Sequence, residues 1–172
     1  MARRNALLPL DGSKVSQAAV HHAQKLLEAG QDHITLIRVW PVPNELSGRT
    51  LQPLDFESAR LLSHKVKWDE TTRRHPIHDS ENWDDLEKEL SGVLHESMEG
   101  LEQAGFNVSL TVRFGKPAEE IAAASEREHL DLIIMATHGR TGVRRALMGS
   151  VAEGVLREAG VPVLMVRASE DA

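Results

Sequence analysis

The fold is decided by a stretch that reads Leu130-Asp131-Leu132-Ile133-Ile134-Met135-Ala136, then Thr137-His138-Gly139, and then, after nine intervening residues, Gly149-Ser150. The first part is a short apolar run of the length of a buried strand. Glycines after such a run are typical of a turn from a strand into a helix. Ser150, with Glu153 three residues on, has the spacing of a capping box. The stretch therefore predicts a strand, a glycine-rich loop and a helix that Ser150 caps.

The rest of the chain repeats this alternation of short apolar runs and helical periodicities. Strands are predicted over residues 6–10, 33–39, 108–114 and 161–167, and helices over about 14–29, 80–104 and 117–129. The first of these helices has one apolar face, made by Val15, Ala18, Ala19, Ala23, Leu26 and Leu27. Such alternation is typical of an α/β fold with a parallel sheet. We predict three layers around an open, parallel, five-stranded sheet in the order 3-2-1-4-5, because crossovers between parallel strands are right-handed.

Length and composition narrow the class of protein. A chain of 172 residues favours one domain over 1–172, with an insertion or lid at about 40–79, where prolines and polar residues replace the regular pattern. The chain has no cysteine, which excludes disulfides and thiolate metal sites and favours a cytoplasmic location. A net charge of −6 argues against a nucleic-acid binder. The apolar runs are too short for a membrane span.

The loop between Thr137 and Gly149 is unusual for an acidic protein. It contains three glycines and no acidic residue, and it carries Arg140, Arg144 and Arg145. Successive backbone N–H groups in such a loop can bind an anion, and the helix N-terminus that follows favours phosphate. If strands one and four are neighbours, Asp11 at the end of strand one lies in the same crevice. The loop and Asp11 therefore predict a site for a phosphorylated ligand.

Plainer interpretations of these residues stay open. A glycine-rich loop can be only a tight turn, Ser150 only a helix cap, and Asp11-Gly12-Ser13 only a turn. The histidines are scattered, so we predict no metal site. The chain has no Walker A motif, no dinucleotide fingerprint and no nucleophile elbow, and we assign no catalytic residue.

Taken together, the motifs resemble those of the universal stress protein family. The family's nucleotide loop is Gly-x-x-Gly, nine residues, and Gly followed by Ser or Thr, and here Ala136 to Gly139 is followed by nine residues and Gly149-Ser150. Further matches are Leu8-Pro9-Leu10-Asp11-Gly12-Ser13, Gly115-Lys116-Pro117-Ala118-Glu119-Glu120-Ile121 and Val161-Pro162-Val163-Leu164-Met165-Val166. The resemblance implies a Rossmann-like fold of the adenine nucleotide alpha hydrolase type.

The resemblance also implies that the loop binds ATP, with AMP or ADP as alternatives and Mg²⁺ carried only by the nucleotide. Asp11 would meet the ribose or the adenine edge, and the Val39 backbone would contact adenine. The full set of implied nucleotide-binding residues is Pro9, Asp11, Val39, Met135, Ala136, Gly139, Arg140, Gly149, Ser150 and Val151. Ala136 departs from the motif's first glycine. Its methyl group costs little if φ is negative and crowds the ligand if φ is positive.

A dimer is a second implication, since the family commonly pairs through its last strand. Here that strand would expose an apolar sheet edge, and such edges are usually covered or paired. The residues expected at the interface are Val161, Val163, Leu164, Met165 and Val166. The alternative is that Pro162 and the C-terminal residues 168–172 prevent another strand from pairing with this edge.

Three functions compete at this point. The first is an ATP-binding stress-response regulator that acts on an unknown protein partner. The second is a slow ATPase or a nucleotidyl-transferring enzyme, and for it the sequence offers only Asp11 as an acid near the crevice. The third is a nucleotide-free interaction module in which the loop is structural, and Ala136 is its best support.

Overall fold

A computed structural model describes residues 3–40, 92, 94–138 and 149–168 of the chain. Within these residues five strands and four helices alternate. They are β1 (Asn5–Pro9), α1 (Lys14–Leu26), β2 (His33–Trp40), α2 (His95–Gln103), β3 (Asn107–Phe114), α3 (Pro117–Arg127), β4 (Leu132–His138), α4 (Ser150–Glu158) and β5 (Val163–Ala168).

The five strands form one parallel sheet in the order β3-β2-β1-β4-β5, which confirms the predicted fold and strand order. Ala6 of β1 pairs with Ile34 of β2 on one side and with Leu132 of β4 on the other. The strand order reverses at this point, because β2 and β3 follow on one side of β1 while β4 and β5 follow on the other. The carboxyl ends of β1 and β4 therefore open onto a common crevice.

Helices cover both faces of the sheet, which gives the predicted three layers. On one face, α1 and α2 pack on a core that includes Leu8, Ile34 and Leu101. On the other face, α3 and α4 pack on a second core that includes Ile37 and Ile133. The central strands are buried on both faces, which is why their sequences read as continuous apolar runs rather than as alternations.

Helices α3 and α4 lie close together. A Cβ atom built on Gly154 of α4 would be 2.5 Å from the Cβ atom of Ala118 in α3, closer than two carbon atoms can approach. Glycine and alanine at these two positions therefore allow the two helices to pack tightly.

Two local predictions are wrong. Leu26 is 48% exposed instead of lying on the buried face of α1, because the helix ends there and the chain turns extended at Leu27, whereas Leu27 is buried as predicted. The capping box at Ser150 does not form either. The N-cap of α4 is Gly149, Ser150 is the first helical residue, and the cap receives no side-chain hydrogen bond.

Several predicted boundaries move by one or two residues, as helix and strand ends commonly do. The fifth strand begins at Val163 rather than at Val161, and the fourth begins at Leu132 and continues to His138. The predicted insertion or lid at about 40–79 lies almost wholly outside the described residues, and so does most of the helix predicted from Ser80. No helix formed by the described residues is long and apolar enough to cross a membrane.

Candidate functional site

A crevice of about 260 Å³ opens where β1, β2 and β4 end and where α1, α3 and α4 begin. In open α/β sheets, ligands bind at this edge because the strand order reverses there and leaves a gap between the loops. The described residues that line the crevice are Pro9, Leu10, Asp11, Ser13, Val15, Ser16, Ile37, Arg38, Val39, Pro117, Ile121, Met135, Ala136, Thr137, Gly149, Ser150, Val151 and Ala152.

The crevice brings together every predicted nucleotide-binding residue that the structure describes. These residues come from four separate parts of the chain and are Pro9, Asp11, Val39, Met135, Ala136, Gly149, Ser150 and Val151. The two others, Gly139 and Arg140, lie outside the described residues. Sequence reasoning did not assign to the site Ser13, which is the N-cap of α1, Ser16 in the first turn of α1, or the strand residue Arg38. A charged residue inside the apolar run of β2 was the available signal for Arg38.

Asp11 is held in place by the turn that joins β1 to α1. Gly12 has a φ of 78°, a left-handed conformation that glycine adopts without strain. The turn lets Asp11 Oδ1 accept a hydrogen bond of 3.0 Å from the Ser13 backbone N–H, while Ser13 Oγ caps α1 by accepting from the Ser16 N–H at 3.2 Å. Partial burial alone raises the pKa of Asp11. Hydrogen bonds from Ser13 and Ser16 and the charge of Arg38 outweigh that effect, so the pKa is below its usual value of 3.8. Asp11 is therefore an ionised acceptor at neutral pH.

The N-terminus of α4 forms the opposite wall. Its first intrahelical hydrogen bond runs from the Glu153 N–H to the Gly149 carbonyl, at 3.0 Å. The N–H groups of Ser150, Val151 and Ala152 precede that bond, so they find no acceptor within the helix. All three residues line the crevice. This wall consequently presents backbone donors and the positive end of a helix dipole, a combination that suits an anion.

Ala136 occupies an ordinary extended position in β4, opposite Val166 of β5. Among the non-glycine residues that the structure describes, only His129 has a positive φ. The backbone at Ala136 is therefore one that alanine adopts without strain, and the departure from the glycine motif does not distort this strand.

Apolar side chains line the part of the crevice between β2 and α3. Ile37, Val39, Ile121 and Met135 are all at least 94% buried in the packed core and also border the cavity. Pro117, at the first position of α3, completes this wall. Such a surface suits a flat ring with little polar area on its faces.

Arg38 lies at the β2 end of the crevice. Its Nη1 donates a hydrogen bond of 2.8 Å to the carbonyl oxygen of Val39. Its guanidinium carbon is 4.7 Å from the centroid of the Trp40 ring, which is the geometry of a cation–π contact. The two contacts fix a permanent positive charge next to the backbone of Val39.

The structure offers little for a protein-held metal. No group of three or more histidine or acidic side chains suitable for a metal ion occurs among the described residues. Asp11 is the one acidic residue in the described lining of the crevice.

The last strand lies at the edge of the sheet, where β4 is its neighbour. Val166 is buried, whereas Val163, Leu164 and Met165 are only half-buried. Val161 is half-buried too, but it precedes the strand. A row of partly exposed apolar side chains thus follows an edge whose backbone groups can pair with another strand.

Comparison of the sequence with known proteins gives one consistent answer. A family model described as "Universal stress protein family" matches residues 2–167. The universal stress protein MJ0531 of Methanocaldococcus jannaschii is 39% identical over 170 residues, which cover 95% of this chain and 82% of that protein. The universal stress protein MJ0577 of the same organism is 27% identical over 165 residues, which cover 95% of this chain and 94% of that protein.

Solved structures agree with this answer at the level of the fold. The structure of MJ0577 superposes with a TM-score of 0.68 at 24% identity and covers 99% of both chains. A universal stress protein in complex with cAMP gives 0.59 at 18% identity, over 98% of this chain and all of that chain. A family protein from Arabidopsis thaliana with AMP bound gives 0.58 at 13% identity, over 98% of this chain and 94% of that chain.

Proposed function

The chain belongs to the universal stress protein family, and from that premise we propose that its crevice binds an adenine nucleotide, ATP first, with AMP or ADP as alternatives. One observation carries the proposal. Residues from β1, β2, β4 and the start of α4, which the family motif marks as nucleotide-binding, all border one crevice. The AMP and cAMP in two structures of the same fold support the choice of adenine.

The proposed ligand lies across the crevice with its base toward β2 and its phosphates toward α4. The apolar wall of Ile37, Ile121 and Met135 receives the faces of the base, and the Val39 backbone meets its edge. The Asp11 carboxylate accepts from the ribose hydroxyl groups. The N–H groups of Ser150 and Val151 donate to the phosphate oxygens. Gly139 and Arg140 complete the phosphate site, and Mg²⁺ arrives with the nucleotide.

Charge supports the same orientation. The protein has a net charge of −6, so a polyphosphate is repelled over most of its surface and needs local donors. The N-terminus of α4 supplies such donors, and its cap receives no side-chain hydrogen bond that would compete with a ligand. The one described acid of the crevice, Asp11, belongs to the ribose end.

A regulatory role follows from binding without dedicated turnover. Hydrolysis requires a base that positions the attacking water beside the phosphates. The proposed phosphate end has backbone donors but no described acid or histidine in its lining. From the family to which the chain belongs, we propose a cytoplasmic regulator in the stress response, whose nucleotide-bound surface a protein partner reads.

Thermal unfolding with Mg-ATP tests the binding proposal. A ligand that binds only the folded state at 100 times its dissociation constant stabilises that state by about 2.7 kcal/mol. For a chain of this size, such a gain raises the unfolding midpoint by roughly 5–10 °C. Magnesium tripolyphosphate is the control, because it carries the phosphate charge without base or sugar, and we expect it to give a much smaller rise. An unchanged midpoint at millimolar Mg-ATP would refute nucleotide binding, and rapid phosphate release would favour the enzyme instead.

The half-buried edge at Val163, Leu164 and Met165 supports a second proposal, a homodimer paired through β5. Pairing two copies of the strand satisfies backbone groups of the edge and covers the apolar row. Light scattering after size-exclusion chromatography is expected to give twice the chain mass, and Met165→Lys is expected to give the monomer mass. Leu26→Lys, which changes an exposed leucine on α1, is the matched control and should stay dimeric. A monomeric parent protein would contradict the proposal.

A further inference from the structure

Arg38 distinguishes the base end of the crevice from a simple apolar slot. Arg38 lines the cavity, and its guanidinium contacts the Trp40 ring and donates to the carbonyl oxygen of Val39 at 2.8 Å. In the proposed binding mode this carbonyl lies at the edge of the base. A fixed cation therefore lies next to the atoms that read the substituent at position 6 of a purine.

We infer that Arg38 determines base specificity and makes the crevice accept 6-oxopurine nucleotides as well as adenine nucleotides. The inference rests on the proposed function, because it needs a nucleotide base at Val39. It names a second class of ligand, nucleotides of hypoxanthine and guanine, for the same crevice.

The chemistry of the base edge gives the direction of the effect. Adenine presents an amino group at position 6, which donates, whereas hypoxanthine and guanine present a carbonyl oxygen, which accepts. A backbone carbonyl has two lone pairs, and the charged hydrogen bond from Arg38 uses one of those on Val39. A guanidinium beside position 6 repels the partial positive charge of an amino group and attracts the partial negative charge of a carbonyl. Removal of the charge must therefore shift the preference toward adenine.

The anchoring of Arg38 makes the effect specific to position 6. Its contacts with Trp40 and with the Val39 carbonyl limit the movement of the guanidinium. The N-terminus of α4, where the phosphates are proposed to lie, belongs to another wall of the crevice. A change at Arg38 also removes a charge that acts on Asp11, but that effect is common to both nucleotides, so the ratio of the two affinities isolates the effect at the base.

The test compares Mg-ATP with Mg-ITP, which carry the same sugar and phosphates but differ at position 6 of the base and at N1, which bears a hydrogen in ITP. The N1 difference is common to parent and variants, so the change in the ratio of the two affinities reports on Arg38. Isothermal titration calorimetry on the full chain gives both dissociation constants for the parent, for Arg38→Met, which keeps the side-chain length without charge, and for Arg38→Lys, which keeps the charge. We expect the parent to bind the two within about tenfold of each other, and Arg38→Met to shift their ratio toward ATP by about tenfold or more. Arg38→Lys should retain most of the parent's ratio.

The other outcomes overturn the inference in distinguishable ways. If the ratio of the ATP and ITP dissociation constants in Arg38→Met stays within about threefold of the parent value, Arg38 has only a structural role. An equal loss of both affinities leads to the same conclusion. A parent that binds ATP but not ITP refutes the acceptance of 6-oxopurines and leaves the proposed function standing. A parent that binds neither nucleotide refutes the proposed function as well. Should Arg38→Met fail to fold, Arg38→Gln replaces it as the neutral variant.

Discussion

Gly149→Val is expected to abolish nucleotide binding while the fold survives. Gly149 has φ of −59° and ψ of 150°, a conformation that valine adopts without strain. Apart from its two neighbours in the chain, no described residue has an atom within 4 Å of a Cβ built on it, so the described part of the protein has room for the new side chain. The bound state does not, because Gly149 borders the crevice where phosphate oxygens would approach the first N–H groups of α4. Hydrogen bonds to charged groups contribute about 1.5–3 kcal/mol each, so the loss of two of them lowers the affinity by roughly 100-fold or more.

Calorimetric titration with Mg-ATP measures this loss, and the unfolding midpoint without nucleotide checks the fold. We expect a fall in stability of no more than about 1 kcal/mol, because valine is a poorer N-cap residue than glycine. Gly149→Ala is the graded companion and should weaken binding by less than Gly149→Val does. If Gly149→Val binds Mg-ATP as tightly as the parent does, the phosphates do not lie at this end of the crevice.

Ser150→Ala distinguishes the contribution of the Ser150 hydroxyl group to phosphate binding from that of the backbone N–H at the same position. Because Ser150 is the first helical residue and not the cap, the substitution should leave the stability of the free protein nearly unchanged. If the hydroxyl donates to a charged phosphate, the same substitution weakens binding by roughly 1.5–3 kcal/mol. Equal affinities in the variant and the parent would leave phosphate binding to the backbone alone.

The fold could be predicted because its sequence signals are local and repeat along the chain. Runs such as Ile34 to Val39 and Leu132 to Ala136 are strongly apolar, and the handedness of parallel crossovers then restricts the order of the strands. The errors fall at the ends of elements, where one residue's backbone angles decide the outcome. Leu27 turns extended and enters the core, which leaves Leu26 exposed, and no periodicity within α1 could show that.

The site could be predicted in part, for a related reason. Asp11, Ala136 and Gly149 stand at the ends of elements, and the topology of a parallel sheet brings such ends together. Arg38 was missed because its contribution depends on the direction of a long side chain, which its contacts with Trp40 and the Val39 carbonyl determine. Ser150 was assigned the wrong role because a helix that starts one residue earlier changes the cap from serine to glycine.

Asp32 is a buried acidic residue that lies away from the crevice. It is 1% exposed and joins three parts of the chain: its carboxylate accepts from the Arg4 N–H at 2.9 Å, from Arg4 Nε at 3.0 Å and from the Glu28 N–H at 2.8 Å. Burial alone raises the pKa of Asp32, but the hydrogen bonds from Arg4 and Glu28 outweigh it and lower the pKa from 3.8 to about 2. The residue before β1 and the turn after α1 are thereby tied to the residue that precedes β2.

Asp32→Asn is expected to lower the free energy of unfolding by about 3 kcal/mol at pH 7, because it removes the charge and leaves buried donors poorly matched. The folded pKa is depressed, so the charged Asp32 stabilises the fold above its ordinary pKa, and this contribution is lost as the pH falls from about 4 to 2. The difference between parent and variant in urea unfolding should therefore be constant from pH 7 to about 5 and shrink below pH 4. Asp131→Asn is the control, since the hydrogen bond that the Asp131 carboxylate accepts from the Asn5 N–H is exposed, and it should cost less than about 1 kcal/mol. A difference that is independent of pH would show that Asp32 acts through its shape rather than its charge.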